Sequence, residues 1–254
     1  MSKPLYAVIM LSHNQTELTC RAIASLPGAA DNPEDIRLYW IDNGSTTDHR
    51  HAVLNTLTIT EQAGISRLKP IFNDENRGFP KAVNQGISES TEPYVILINN
   101  DVVIPPAQEQ PSGQALFDLM ARSLQYANGS LAATTSTSGW QDRQTLIKKG
   151  WMGQTSIVPL KRENHAAFFC TMITRETIQR VGYLSEEFGM GFGEDDDYQE
   201  RMEDEGLLRI LNTHTHVHHD RRSTWKAIYN PEEIAERQNH AQLILMRKYG
   251  RKAW

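Results

Sequence analysis

Residues 5–11 (LYAVIML) form an unbroken apolar run of strand length, the pattern of a strand covered on both faces. Polar residues follow, and then Leu18, Ala22, Ile23 and Leu26 recur at helical spacing. Asn14 and Glu17, three apart, resemble a capping box at the start of that helix, and Pro27-Gly28 ends it. Residues 36–41 read as a second strand and residues 71–73 as a short third, with no helix read between them. Residues 79–89 predict a helix with Ala82, Val83, Gly86 and Ile87 on one face, and residues 94–98 another buried strand. The order strand, helix, strand, strand, helix, strand implies a mostly parallel sheet with helices packed on it.

After Asp101 a loop runs through Pro105-Pro106 to Gly113. An amphipathic helix is predicted over 115–126, a strand over 131–137 and irregular chain over 139–164. A strand over 165–173 and helices over 175–181 and 195–205 follow, the last closed by Gly206. Residues 207–217 are strand-like. Asn230, Pro231 and Glu233 cap a final helix that ends near Gly250. With no repeat and no linker-like stretch, one α/β domain is expected.

Composition adds little to this. At 254 residues, 39% hydrophobic and 22% charged, with a formal net charge of −5, the chain has the balance of a globular protein. Nothing in that balance advertises nucleic acid or an anionic membrane as a partner, although basic residues gather towards the end. No apolar stretch approaches 18 residues and no cleavable leader is evident, so a cytoplasmic protein is expected. Cys20 and Cys170 read as buried thiols.

The chemistry collects at the strand ends. Four polar clusters, SHNQ (12–15), DNGSTTD (42–48), NDENRG (73–78) and NND (99–101), follow candidate strands, where ligands of open parallel sheets bind. Gly44 and Gly78 would let backbone approach a ligand closely. A row of imidazoles, His214, His216 and His218, would share one strand face, with His219 on the other. Such a row is either a transition-metal set or a group of half-buried strand residues. Glu194, Asp195, Asp196 and Asp197 are four adjacent carboxylates, readable as a metal site, a catalytic base or the solvated start of a helix.

Taken together these motifs resemble glycosyltransferase family 2, the inverting nucleotide-sugar transferases of GT-A fold. AVIMLSHNQTELTCRAIASL is similar to the family's opening strand and helix, IDNGSTTD to its DNGSTD turn, and NDENRGFPKAVNQGI to its N-x-G-F-x-x-A-x-N-x-G segment. YVILINNDVVIPP resembles its DXD strand, VGYLSEEFGMGFGEDDDYQERMEDEG its catalytic acidic motif, and VHHDRRST its terminal histidine motif. The resemblance spans roughly residues 5–250 and implies one Rossmann-like GT-A domain. Residues 1–104 would be its nucleotide-sugar-binding half, and residues 105–254 its acceptor-binding and catalytic half, with the C-terminal helix at 231–249.

By the resemblance, Ser12, Asn14 and Asp42 hold the nucleobase and ribose. Asn76, Arg77, Gly78 and Asn84 line the nucleotide pocket, with Asn99 and Asn100 beside it. Asp101 binds the divalent cation, Mn²⁺ or Mg²⁺, with His218, which follows Val217 and precedes Ser223 by the family's usual gap; His219 is the alternative. Asn99 stands where a two-aspartate DXD has Asp, which leaves the cation fewer carboxylates. Asp195 is the general base and Glu194 its partner. Asp197 and Trp225 are candidates on the acceptor side, with 139–165 the acceptor-recognition region.

Two other readings compete: a zinc hydrolase built on His214, His216 and His218, and an inactive nucleotide-sugar-binding module. The acceptor is left open among a saccharide, a lipid-linked glycan, a protein, a small metabolite and a modified nucleobase.

Overall fold

The computed structural model describes residues 5–65, 67–136, 157–162, 164–220 and 227–250. Strands β1 (Tyr6–Ser12), β2 (Ile36–Asn43), β3 (Arg67–Asn73) and β4 (Tyr94–Asn99) pair in parallel in the order β3-β2-β1-β4. The sheet continues through β8 (Cys170–Thr174), β6 (Leu131–Ser136) and β9 (Arg209–His219) to the two-residue β5 (Val102–Val103). β8 runs antiparallel to both β4 and β6, whereas β9 runs parallel to β6. The short β7 (Ile157–Pro159) pairs antiparallel with β9 and lies in a stretch read from the sequence as irregular.

Alternation along the central strands sorts the core into two layers. Val8, Met10, Leu38, Trp40, Ile96 and Ile98 face α1 (Thr16–Ser25), α2 (Thr47–Gln62) and α4 (Leu116–Ala127). Ala7, Ile9, Tyr39, Ile41, Val95 and Leu97 face α3 (Phe79–Glu89), α5 (Arg175–Val181) and α6 (Glu194–Asp204). A sheet covered on both faces explains why these strands are continuously apolar. The last helix, α7 (Pro231–Tyr249), starts at the expected capping box of Asn230 and Glu233 and buries Ala241, Ile244 and Leu245 against Phe188.

Three expectations are corrected. Residues 47–62 form α2, capped by Thr46, whose side chain accepts from the His49 amide; its buried stripe is His49, Val53, Leu57 and Thr60. Only two of those four are apolar, which hid the period. Asn14 is not a helix cap: α1 begins after Gln15, and Asn14 and Gln15 both have positive φ (55° and 58°). Lastly, β8 is shorter than the predicted 165–173 strand, because residues 165–166 are held along α6 before the chain joins the sheet.

Candidate active site

The carboxyl ends of β1, β2 and β3 are knitted together by amides. Asn14 accepts from the Thr46 backbone N–H at 3.0 Å, and its own N–H donates to Ser45 Oγ at 2.8 Å, so the turn after β1 is tied to the one after β2. Asn43, which sequence reading passed over, is the hub of the second tie. Its Nδ2 donates to Asn76 Oδ1 at 2.8 Å, and its Oδ1 accepts from Asn73 Nδ2 and from the Arg77 backbone N–H, each at 3.0 Å. The signal was present in the strand period: Asn43 follows Tyr39 and Ile41 on the face that carries α3, whereas Asp42 follows Leu38 and Trp40.

Gly44 and Gly78 seat these turns. Gly44 has φ +75°, and a Cβ there would lie 2.5 Å from the Glu75 backbone. Gly78 has φ +82°, and a Cβ there would lie 2.2 Å from the Gly189 carbonyl oxygen. Next to it the Phe79 N–H donates to the Met190 carbonyl at 3.2 Å. The start of α3 and the turn that leads to α6 are therefore in backbone contact.

Several predicted donor residues have other partners. Ser12 is buried; its Oγ accepts from Trp40 Nε1 at 2.9 Å and lies 3.1 Å from His49 Nε2, since strand parity turns it to the Trp40 face. Asn84 is spent on the segment before α6, exchanging hydrogen bonds with the Leu184 backbone at 2.9 and 3.0 Å. Asn100 donates to Thr19 Oγ1 at 3.0 Å. Asp42 is buried with Oδ2 on Arg50 at 2.5 Å, while its Oδ1 has no hydrogen-bond partner among the described residues. Asn76 and Asn99 are half-buried and Arg77 is exposed at the mouth.

Beyond β4, Asp101 is buried and the imidazole that reaches it is His219, with Nε2 3.3 Å from Oδ1. The pairing of β5 with β9 sets this register, Val102 opposite His219 and Val103 opposite His218. His219 stacks on Phe169 at 4.8 Å, whereas His218 is exposed and its ring lies 5.9 Å from that of His216. The expected Asp101–His218 pair is thus replaced in the geometry by Asp101 and His219. The three-histidine row fares no better: β9 is irregular between Asn212 and His216, and no group of three His, Cys, Asp or Glu able to hold a metal occurs among the described residues. Burial, followed by the charge of His218, lowers the His216 pKa.

The acidic run opens α6, after a turn in which Gly189, Gly191, Phe192 and Gly193 all have positive φ. The four carboxylates have different surroundings. Glu194 is buried, and its Oε2 has no hydrogen-bond partner among the described residues; burial and then the Asp195 charge raise its pKa to about 8. Asp195 is half-buried and accepts from the Asp196 N–H at 3.0 Å; burial and then the Asp196 charge raise it to about 7. Asp196 Oδ1 lies 2.6 Å from His165 Nδ1.

Asp197 is wholly buried, so the predicted acceptor contact is corrected to a structural one. It accepts from Arg201 Nε at 3.0 Å and Tyr249 OH at 2.8 Å, and it pairs with Lys248, fastening α7 to α6. Asp197→Asn is expected to cost about 1–2 kcal/mol, modest because Arg201 and Lys248 can rehydrate; chemical unfolding would measure it. Trp225, Trp140 and Trp151 lie outside the described residues, as does most of 139–165.

No curated protein matches the chain. Among solved structures it is similar to the mannosyltransferase PcManGT from Pyrobaculum calidifontis in complex with GDP-Man and Mn²⁺ (TM-score 0.68, 13% identity), covering 97% of this chain and 65% of that one. It is also similar to S. aureus TarS (TM-score 0.65, 12% identity), covering 95% of this chain and 39% of that one. At such identities the likeness establishes the fold, which is GT-A, and the chain spans less than two thirds of either neighbour. The model of glycosyl transferase family 2 matches residues 7–181, so with its motifs in order and its fold agreeing, the chain belongs to that family.

Proposed function

We propose that the chain transfers a sugar from a nucleotide-sugar donor to an acceptor hydroxyl with inversion, using Asp195 as the general base. The observation that carries this reading is the place of Asp195 in the first turn of α6, just after the turn whose Met190 carbonyl meets the start of α3; burial and then the Asp196 charge raise its pKa to about 7. A carboxylate tuned to the working pH is a far better proton acceptor than an ordinary aspartate. The acceptor oxygen gives its proton to Asp195 as it attacks the anomeric carbon, and the bond from that carbon to the diphosphate oxygen breaks on the opposite side. Glu194, pushed to a higher pKa, stays protonated longer and spares Asp195 a second adjacent charge.

The donor side fits a nucleoside diphosphate. Asp42 lies near the end of β2 beneath the donor side with Oδ2 on Arg50, Asn14 and Asn76 fix the turns around it, and Arg77 stands just before α3 to meet phosphate. A buried carboxylate beside an imidazole suits a divalent cation such as Mn²⁺ or Mg²⁺, which Asp101 and His219 would hold. When bound, that cation supplies charge stabilisation for the departing diphosphate. Among the described residues no group of three His, Cys, Asp or Glu able to hold a metal supports the hydrolase reading. A non-catalytic module leaves the tuned Asp195 without a purpose.

The test is to incubate the protein with manganese and a panel of nucleotide sugars and to follow release of nucleoside diphosphate. Release that stops with chelator supports the reading, and failure with every donor and acceptor class overturns it. Asp101→Ala and His219→Ala are each expected to weaken metal-dependent donor binding about 10–100-fold, with His218→Ala close to wild type. Titration calorimetry with the nucleoside diphosphate and Mn²⁺ would measure this, and equal losses at His218 and His219 would contradict the assignment.

A further inference from the structure

His165 escaped every motif, yet it lies against the first two turns of the helix that carries Asp195. Its Nδ1 is 2.6 Å from Asp196 Oδ1 and its Nε2 is 3.1 Å from Glu200 Oε1, so one ring spans two carboxylates four residues apart on α6. The ring is about 10% exposed, and Glu200 is more deeply buried. The Asp196 contact is a hydrogen bond, and the Glu200 contact places a second carboxylate at ion-pair distance from the other ring nitrogen. Glu200 Oε2 also accepts from Arg162 Nε at 3.0 Å and Nη2 at 2.8 Å, and Arg162 reaches Asp204 at 3.0 Å. Two carboxylates at these distances favour the charged form of the ring between them.

The neighbouring residue fixes where that charge sits. The Ala166 N–H donates to Gln199 Oε1 at 2.8 Å, and Gln199 Nε2 returns to the Ala166 carbonyl at 2.7 Å and to the Asp195 carbonyl at 3.0 Å. Segment 165–166 is thus pinned along α6 by a side-chain amide that also touches the Asp195 backbone.

We propose that His165 is a positioning residue for the catalytic base: as a fixed cation between Asp196 and Glu200, it offsets the acidic start of α6 so that Asp195 works as a carboxylate. Beside Asp195, the charge of Asp196 resists its ionisation and that of His165 favours it. Among the described contacts, His165 faces Asp196 and Glu200, the latter shared with Arg162. Removing the imidazolium takes away a positive charge beside Asp196 and Asp195. The base then takes up its proton at higher pH, so activity disappears sooner as pH falls.

This inference rests on Asp195 being the base, and the experiment keeps the two apart. The pH profile of kcat/KM for nucleoside diphosphate release would be recorded for the wild type, His165→Gln and Asp195→Asn. The inference expects the acid limb of His165→Gln to move up by about one pH unit, with activity above pH 9 largely recovered. An unmoved limb in a folded His165→Gln, with Asp195→Asn inactive, overturns the role of His165 and leaves the base intact. An active Asp195→Asn overturns the base itself. If His165→Gln does not fold, ¹⁵N-histidine NMR of the wild type decides. Both His165 nitrogens should be protonated at pH 8, and a neutral ring there overturns the proposal.

Discussion

Asp195→Asn is expected to abolish sugar transfer, with a loss of about 10²–10⁴ in kcat, while the donor still binds as in the wild type. The amide keeps the shape of the side chain and can still accept from the Asp196 N–H at the helix start. What it lacks is the capacity to take a proton. Single-turnover kinetics, with donor affinity measured separately by calorimetry, would divide the two effects. Near-full activity would mean that another group accepts the proton. In the wild type the same residue should show in the pH dependence. Since the Asp195 pKa is raised to about 7, the active carboxylate is present above that pH and lost as pH falls through it. An acid limb near pH 4, where an unperturbed aspartate titrates, would count against the assignment.

The second large effect is expected at Gly78, far from any proton. Gly78→Ala places a methyl group 2.2 Å from the Gly189 carbonyl oxygen, against backbone that cannot swing aside as a side chain can. It also asks alanine to hold φ +82°. The cost should be about 2–4 kcal/mol. It falls on the joint where the Phe79 N–H meets Met190, only a few residues before Asp195. Both melting temperature and kcat should drop, and a folded, fully active Gly78→Ala would show that the two turns are not in rigid contact.

What could be read from the amino-acid sequence followed from the strength of local signals. Helix α3 begins and ends where its apolar face said it would, and α7 starts at its capping box. α2 was hidden because histidine and threonine occupy half of its buried stripe, a choice that makes sense only once Ser12 and Thr16 are seen against His49. The site was legible as a set of motifs but not as a set of partners. Which of two adjacent histidines meets Asp101 depends on the pairing of a two-residue strand, and no periodicity reports that. The four acids of α6 are alike as letters, and only α7 and the 165–166 segment, distant in sequence, make them unlike.

The antiparallel strand β8 also bears on how the chain is made. The edge of β4 is closed by residues 170–174, with Tyr94 opposite Thr174 and Ile98 opposite Cys170. A nascent chain emerges from its amino end, so the four parallel strands exist well before their partner does. During that interval the apolar edge from Val95 to Ile98 has no covering strand and is a template for pairing with other chains. A fragment ending before Cys170 should therefore collect in aggregates even though it contains every residue proposed to touch the nucleotide, and the donor half should not be separable by truncation at that point.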